Sequence, residues 1–435
     1  MIYATLLLTQ QKNKGKKMDI SLFLEDKRTL DILDKIQTHC KSKHFSDVLD
    51  DDGNQYVDLV MEGGGMLGIA LVGYTYALEC AGIRFLGLGG TSAGSINALL
   101  IAALGKPNQP KGDKLLNLLA NQNFYDFVDG DSDSKELIES WINGVGNFKL
   151  AFKAIQTIDN LKNDLGLNPG IAFYEWLQKI LLSNQIKNYS DLKDRMHDAP
   201  KLKLRSGETW EKQVDEIFRL AIITADVTTE TKVELPRMAE LYWKEVNKIS
   251  PALFARASMS IPFFFHPMKV TGIPKDINAE ARWEKLAGYL IEEEGKLPDQ
   301  VLFMDGGIMS NFPIDIFHNP SAIPKAPTFG VKLELDRRLK KIEGPLDLLG
   351  AIFNASRHTL DYDFIHRNPD YSRLVTWIPA EGFNWLDFEM SEKHKIDLFI
   401  EGASCAADFL CKFDWQAYKK IREGTVTQSI NASTN

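Results

Sequence analysis

The feature of this 435-residue chain with the most chemical content is a serine set between glycines, Gly90-Thr91-Ser92-Ala93-Gly94, which reads GxSxG. At ordinary glycine frequency the three fixed positions arise by chance roughly 0.1 to 0.2 times in a chain this long, so the pattern alone is weak. Its surroundings strengthen it. The apolar run Phe85 to Gly89 reads as a strand entering the motif, and Ala93 to Leu104 as an apolar helix leaving it. A serine on a sharp strand-to-helix turn is a nucleophile elbow: the glycines let the backbone bend and a substrate approach, and the helix N-terminus favours a developing alkoxide. The competing reading is a serine N-cap with no chemistry.

Upstream, Glu62-Gly63-Gly64-Gly65-Met66-Leu67-Gly68 again joins a strand to a helix. Its GxGxxG spacing matches a dinucleotide loop, but that reading needs an acidic residue about 20 positions on, at the end of the next strand. Here the next strand ends in the serine motif. Two glycine turns at one edge of neighbouring strands fit another use, in which N–H groups of Gly63, Gly64 and Gly65 meet an oxyanion formed on Ser92. A serine nucleophile also needs a base. None of the eight histidines (His39, His44, His197, His266, His318, His358, His366, His394) lies in a Gly-flanked turn at a strand end. Asp305 does, following the apolar run Val301 to Met304 and preceding Gly306-Gly307. Its alternative is an ordinary Asp-Gly turn.

The elements that would position these residues are legible from periodicity. Tyr56 to Met61 reads as a buried strand and Met66 to Ala81 as a helix closed by Gly82. Two strands, each followed by a helix within about 30 residues, predict an α/β fold, a three-layer sandwich whose mostly parallel central sheet is flanked by helices. Further strands are expected at Ile217 to Val227, Val301 to Met304, Phe329 to Leu335 and Leu374 to Ile378, and helices at Leu346 to Ile365 and Ile396 to Phe413. Residues 105–215 carry apolar positions at helical spacing (Leu137, Ile138, Trp141, Ile142, Val145, Phe148, Phe152, Ile155) and read as a helical insertion or cap. Residues 1–55 read as an N-terminal helical appendage, residues 56–413 as the α/β domain, and residues 414–435 as a tail, polar and disordered from Gly424.

In order and context, EGGGMLG, GTSAG and Asp305-Gly306-Gly307 with Asn311 and Pro313 following (DGGIMSNFP) resemble the patatin-like phospholipase family. The segments Ala225 to Thr229 and Ala257 to Pro262 are similar to that family as well, and the likeness covers roughly residues 56–335. The resemblance implies a Ser92-Asp305 dyad without histidine, an oxyanion hole from Gly63 to Gly65, motif glycines at Gly68, Gly90, Gly94, Gly306 and Gly307, and a patatin-like fold. It further implies hydrolysis of carboxylic esters of membrane glycerolipids, of phospholipase A or lysophospholipase type, with no cofactor, no metal and no calcium. Some relatives are silent until an activator protein or small signalling molecule arrives, so such a partner is expected alongside the lipid. One departure stands out: the family usually carries arginine or lysine where this chain has Leu67.

Composition bounds the rest. Apolar residues at 44% and charged residues at 25% are ordinary for a globular protein. A net charge of −8 disfavours nucleic-acid binding and would repel an anionic membrane unless a local basic patch, such as Arg337 to Lys341, overrides it. Four cysteines at irregular spacing, with no basic-then-apolar leader, point to a reduced, cytoplasmic location, peripheral at a membrane where the substrate lies. Asp129 to Asp133 resembles the start of a calcium loop, but Ser134 stands at the required glycine and Ser140 at the twelfth-position glutamate. The 20-residue stretch Phe85 to Leu104 carries no charge, yet its GGTSAGS interior suits strand, turn and helix better than a membrane span. No oligomeric state is signalled. Two rival functions use the same fold: a catalytically silent lipid-binding or signalling module, and an acyltransferase employing the same dyad.

Overall fold

A strand buried on both faces must be apolar almost throughout, whereas one with a face in water alternates. Both kinds occur in the computed structural model, which describes residues 17–132, 135, 164–210, 212, 214–288, 297–319, 321–334, 342, 351, 355, 364–383 and 387–433. The strands are β1 (Val48–Leu49), β2 (Gln55–Met61), β3 (Ile83–Thr91), β4 (Gly166–Asn168), β5 (Lys203–Leu204), β6 (Arg219–Asp226), β7 (Thr231–Leu235), β8 (Phe263–Phe265), β9 (Met268–Thr271), β10 (Gln300–Asp305), β11 (Thr328–Glu334) and β12 (Val375–Pro379). The main helices are α1 (Lys27–Cys40), α2 (Gly68–Cys80), α3 (Ala93–Ala103), α4 (Gly112–Ala120), α5 (Ile171–Ser183), α6 (Tyr189–His197), α7 (Ala252–Ser258), α8 (Ala279–Ala287), α9 (Glu392–Lys412) and α10 (Trp415–Ser433).

One ten-stranded sheet runs β12-β11-β2-β3-β6-β10-β9, with β7 on β6 and β1 bridging β2 and β5. The expectation of a mostly parallel sheet is corrected here, because the sheet is mixed. Strands β12, β11, β2, β3 and β6 are parallel, whereas β10 pairs antiparallel with β6 and β9, β7 with β6, and β1 with β2 and β5. For β7 the physical reason is connection length. The tight turn at 227–230 permits β6 and β7 only a hairpin, while parallel neighbours need a crossover. β7 (TKVEL) also lacks the continuous apolar run that marks a buried parallel strand, alternating buried with exposed or half-buried positions.

Helices α2 and α3 are buried on nearly every face, which explains their unbroken apolar composition. Gly73 and Gly402 let α2 and α9 meet backbone to backbone: a Cβ on Gly73 would lie 1.9 Å from Phe399 O, and one on Gly402 1.9 Å from Ala70 O. Among the described residues no helix is long and apolar enough to cross a membrane, and Phe85 to Leu104 divides into β3, a turn and α3.

The segment read as an N-terminal appendage contributes β1 to the main sheet and buries Phe23 against Phe399. The tail read as disordered from Gly424 instead continues α10 to Ser433. A lone glycine costs a helix only about 1 kcal/mol. The first turns of α10 are tied to the core through buried Trp415, Tyr418 and Arg422, the last ion-paired with Asp370 at 3.4 Å. The apolar positions Leu137 to Ile155, the cluster Arg337 to Lys341 and nearly all of Leu346 to Ile365 lie outside the described residues. Asp129, the first residue of the calcium-like loop, accepts from Gly170 N (3.0 Å) and Ala172 N (2.9 Å), capping α5.

Candidate active site

Ser92 follows the last residue of β3 with φ 51 and ψ −122, a conformation that costs a non-glycine residue about 1–3 kcal/mol and must be imposed by its surroundings. The imposing contacts are specific. Ser92 N donates to Ser258 Oγ (2.9 Å), and that hydroxyl donates to Ile223 O (2.6 Å). Ser92 O accepts from Ser95 N and Ser95 Oγ at 2.9 and 2.6 Å. Gly90 and Gly94 are needed because the elbow is so tight: a Cβ on Gly90 would lie 2.4 Å from Gly94 C, and one on Gly94 2.2 Å from Met61 O. The Ser92 hydroxyl donates to Met259 Sδ at 3.3 Å.

Asp305 reaches the same place by strand register. Thr91 pairs with Ile223 of β6, and Asp305 with Thr224, the next residue along. Since β7 pairs with β6 over residues 222–226, overlapping both contacts, β3 and β10 must share the opposite edge of β6. They therefore lie end to end, β3 parallel and β10 antiparallel to β6, with their C-termini converging. Gly306 sits in the junction, where a Cβ would lie 2.1 Å from Ile223 O and 3.0 Å from Thr91 Cγ2. Gly307 N donates to Asp305 Oδ1 at 2.7 Å, and Asp305 N to Ser260 O at 2.8 Å. Ser92 and Asp305 are both nearly enclosed, 4% and 3% exposed, so polar interactions there are weakly screened.

The glycine turn lies against Ser92. A Cβ on Gly63 would be 3.0 Å from Ser92 Cβ, and one on Gly68 3.3 Å from Ala93 Cβ. The reading of all three glycines as oxyanion donors is narrowed, because Gly63 N donates to Asn311 O (3.1 Å) while Asn311 Nδ2 donates back to Gly63 O (3.0 Å). The N–H groups of Gly64 and Gly65 donate to no protein acceptor among the described residues. Gly65 has φ 54, the left-handed conformation that glycine permits. Leu67, where the resembled family carries a cation, is fully buried. A cation reaches the turn from β11 instead: Lys332 Nζ lies 3.0 Å from Glu62 Oε1.

Sequence reasoning singles out the 257–262 segment without a role for its residues. In the structure Ser258 holds the backbone of Ser92 and Ser260 that of Asp305, so one short loop ties both groups. Buried Arg256 braces the loop, donating to Ser260 Oγ (2.7 Å), Pro169 O (2.7 Å) and His266 O (3.0 Å). Burial pulls its pKa down to about 10, which leaves it charged at neutral pH. The signals that could have found these groups are an arginine within the apolar ALFARAS and a lysine within FGVKLEL. A lone charge in an apolar run marks a buried, partnered group.

A model of the patatin-like phospholipase family matches residues 59–318, more than half of the chain. The chain is 28% identical over 350 residues to the uncharacterized protein YqhO of Bacillus subtilis (strain 168), covering 80% of this chain and 95% of that one. The crystal structure of VipD from Legionella pneumophila aligns with 87% of this chain and 72% of its own, at 13% identity and a TM-score of 0.38. By the family match, the chain belongs to the patatin-like phospholipase family, lipid acyl hydrolases in general.

Proposed function

We propose that Ser92 and Asp305 form a catalytic dyad that hydrolyses carboxylic ester bonds of membrane glycerolipids, in the manner of a phospholipase A or lysophospholipase. The observation that carries this reading is the end-to-end meeting of β3 and β10 along β6, with the glycine turn against the Ser92 side chain. Ser92 Oγ attacks the ester carbonyl and Asp305 takes its proton. The N–H groups of Gly64 and Gly65, with the N-terminus of α3, stabilise the tetrahedral oxyanion. Asp305 returns the proton to the departing lipid alcohol, leaving Ser92 acylated. Water activated by the same carboxylate then releases the fatty acid. Transfer of the acyl group to another alcohol would use identical residues. No step requires calcium, another metal or a cofactor.

Two features favour a resting state over an open one: the Ser92 hydroxyl is engaged by Met259 Sδ, and both members of the dyad are nearly enclosed. Rotation of Ser92 about χ1, with displacement of Met259, frees the hydroxyl for Asp305. Contact with a lipid surface, an activator protein or a small signalling molecule would supply that displacement.

The test is fatty-acid release from mixed phospholipid vesicles with calcium chelated, comparing the wild type with Ser92→Ala and Asp305→Asn, each checked for folding. Release is expected in the wild type and in neither variant. Undiminished release in either variant removes that residue from the mechanism. A folded wild type that binds vesicles yet never reacts with a fluorophosphonate would favour the silent-module reading.

A further inference from the structure

Beneath the glycine turn lies an ion pair almost wholly out of water, with Lys332 and Glu62 side chains 6% and 3% exposed and Nζ 3.0 Å from Oε1. Removing two charges from water costs several kcal/mol per ion, so such a pair is poor evidence for stability. What distinguishes this one is where its ends are tied. Glu62 directly precedes Gly63. Its N donates to Val331 O (3.1 Å), and its Oε2 accepts from Leu333 N (2.7 Å). Leu333 packs so closely on Gly64 that a Cβ there would lie 2.3 Å from Cδ1. The Lys332 ammonium is closed in by the rings of Phe312, 4.7 Å away, and Trp377, 5.1 Å away. Phe312 adjoins Asn311, which makes the two reciprocal bonds to Gly63. Lys332 therefore touches both clamps on the turn, the Glu62 carboxylate and the Asn311-Phe312 segment.

From this we infer that Glu62 and Lys332 are positioning residues for the oxyanion site, their ion pair fixing the glycine turn against Ser92 so that the Gly64 and Gly65 N–H groups face the reacting carbonyl. The inference rests on the reading of that turn as the oxyanion donor. Main-chain bonds hold Glu62 N to Val331 O and Gly63 N to Asn311 O, both on the N-terminal side of Gly64 and Gly65. The side-chain pair adds a third attachment, between the Glu62 carboxylate and β11, that resists rotation of the turn about the first two. An oxyanion donor misplaced by a fraction of an ångström loses much of its effect, because its benefit depends on being preorganised.

The full chain is tested as Lys332→Met, Glu62→Gln and the double variant E62Q/K332M, with Ser92→Ala as reference. Amide hydrogen exchange is read on peptides spanning 62–68, and kcat and KM on p-nitrophenyl butyrate. Lys332→Met leaves an uncompensated buried carboxylate. Exchange at 63–66 should then quicken by about tenfold with β3 and α3 peptides unchanged. The kcat should fall by about tenfold or more, with KM within about twofold. The double variant, in which the amide oxygen introduced at position 62 still accepts from Leu333 N, should recover most of both losses. Unchanged exchange at the turn overturns the inference, as does a double variant no better than Lys332→Met. Quickened exchange with unchanged kcat, while Ser92→Ala is inactive, also overturns it, leaving the pair structural and the site reading intact. Hydrolysis that survives in Ser92→Ala removes the site reading and the pair's catalytic role with it.

Discussion

Ser258→Ala isolates the force that holds Ser92 in its strained conformation. The substitution deletes one oxygen from a fully buried side chain and adds nothing that must be accommodated. That oxygen accepts from Ser92 N at 2.9 Å and donates to Ile223 O at 2.6 Å. Ile223 O can lose a donor more cheaply than Ser92 N–H can lose its acceptor, since an unmet buried donor costs about 1–3 kcal/mol. The elbow already carries about 1–3 kcal/mol of backbone strain at φ 51, so it relaxes wherever the opposing bond is withdrawn. If the whole of that penalty falls on elbow geometry, acylation slows by about 5- to 160-fold, at about 1.36 kcal/mol per tenfold. If it falls on the fold, unfolding stability drops by the same amount with the rate preserved. Urea unfolding and the rate of covalent labelling by a fluorophosphonate, measured on the same preparation, separate the two. The expected result is a labelling rate down by about tenfold or more with stability down by no more than about 2 kcal/mol. Unchanged rate and unchanged stability together would refute the claim that Ser258 holds the elbow.

Two further expectations follow from the same geometry. Gly306→Ala places a methyl 2.1 Å from the Ile223 carbonyl oxygen, a backbone atom fixed by pairing on both edges of β6, so β10 must withdraw from Thr91; hydrolysis should be lost and stability lowered by about 2 kcal/mol or more in urea unfolding, and full activity in this variant would mean that the junction is loose. Asp58 is the clearest pH-dependent group: burial raises its pKa from 3.8 to about 6, against the hydrogen bonds from Gly87 N and Thr328 Oγ1 and the nearby Arg219. A folded-state pKa above the unfolded value means the folded chain binds the proton more tightly, so this contribution is present below pH 4 and is lost as pH rises through about 6. Asp58→Asn should therefore stabilise the protein at pH 8 by up to about 3 kcal/mol and leave it unchanged at pH 3.5, as read by urea unfolding at both values; equal effects at both would show that Asp58 does not titrate as stated.

Local features were the most legible. The EGGG and GTSAG turns, the strands that precede them and the helices that follow appear at the expected positions, because strand-to-helix transitions rest on glycine, apolar run length and little else. The Asp305 strand and the helix from Glu392 to Lys412 were readable for the same reason. What the sequence hid was pairing. Strands β7 and β9 are short and polar on one face, so nothing local distinguishes them from loops. Asn311 hid differently: its role depends on a reciprocal bond to a residue 248 positions away, and no periodicity reports such a contact. In the tail from Gly424 polar composition suggests disorder, whereas α10 continues to Ser433 with Arg422 anchored on Asp370.

The parallel-sheet expectation and the Asp305 assignment are linked by more than coincidence. In an all-parallel sheet every C-terminal strand end lies along one rim, and a group on one strand reaches its neighbour only across the spacing between strands, about 4.8 Å per step. Here β10 runs the other way and continues the line of β3 along the same edge of β6. Its C-terminus meets that of β3 head-on, Thr91 and Asp305 opposing consecutive residues of one strand. The direction change that defeated the prediction is thus what brings the end of the Asp305 strand to the elbow. It also explains the glycine at 306: two chain ends converging on a single edge leave no room for a side chain between them, and the 2.1 Å approach to Ile223 O is the measure of that crowding.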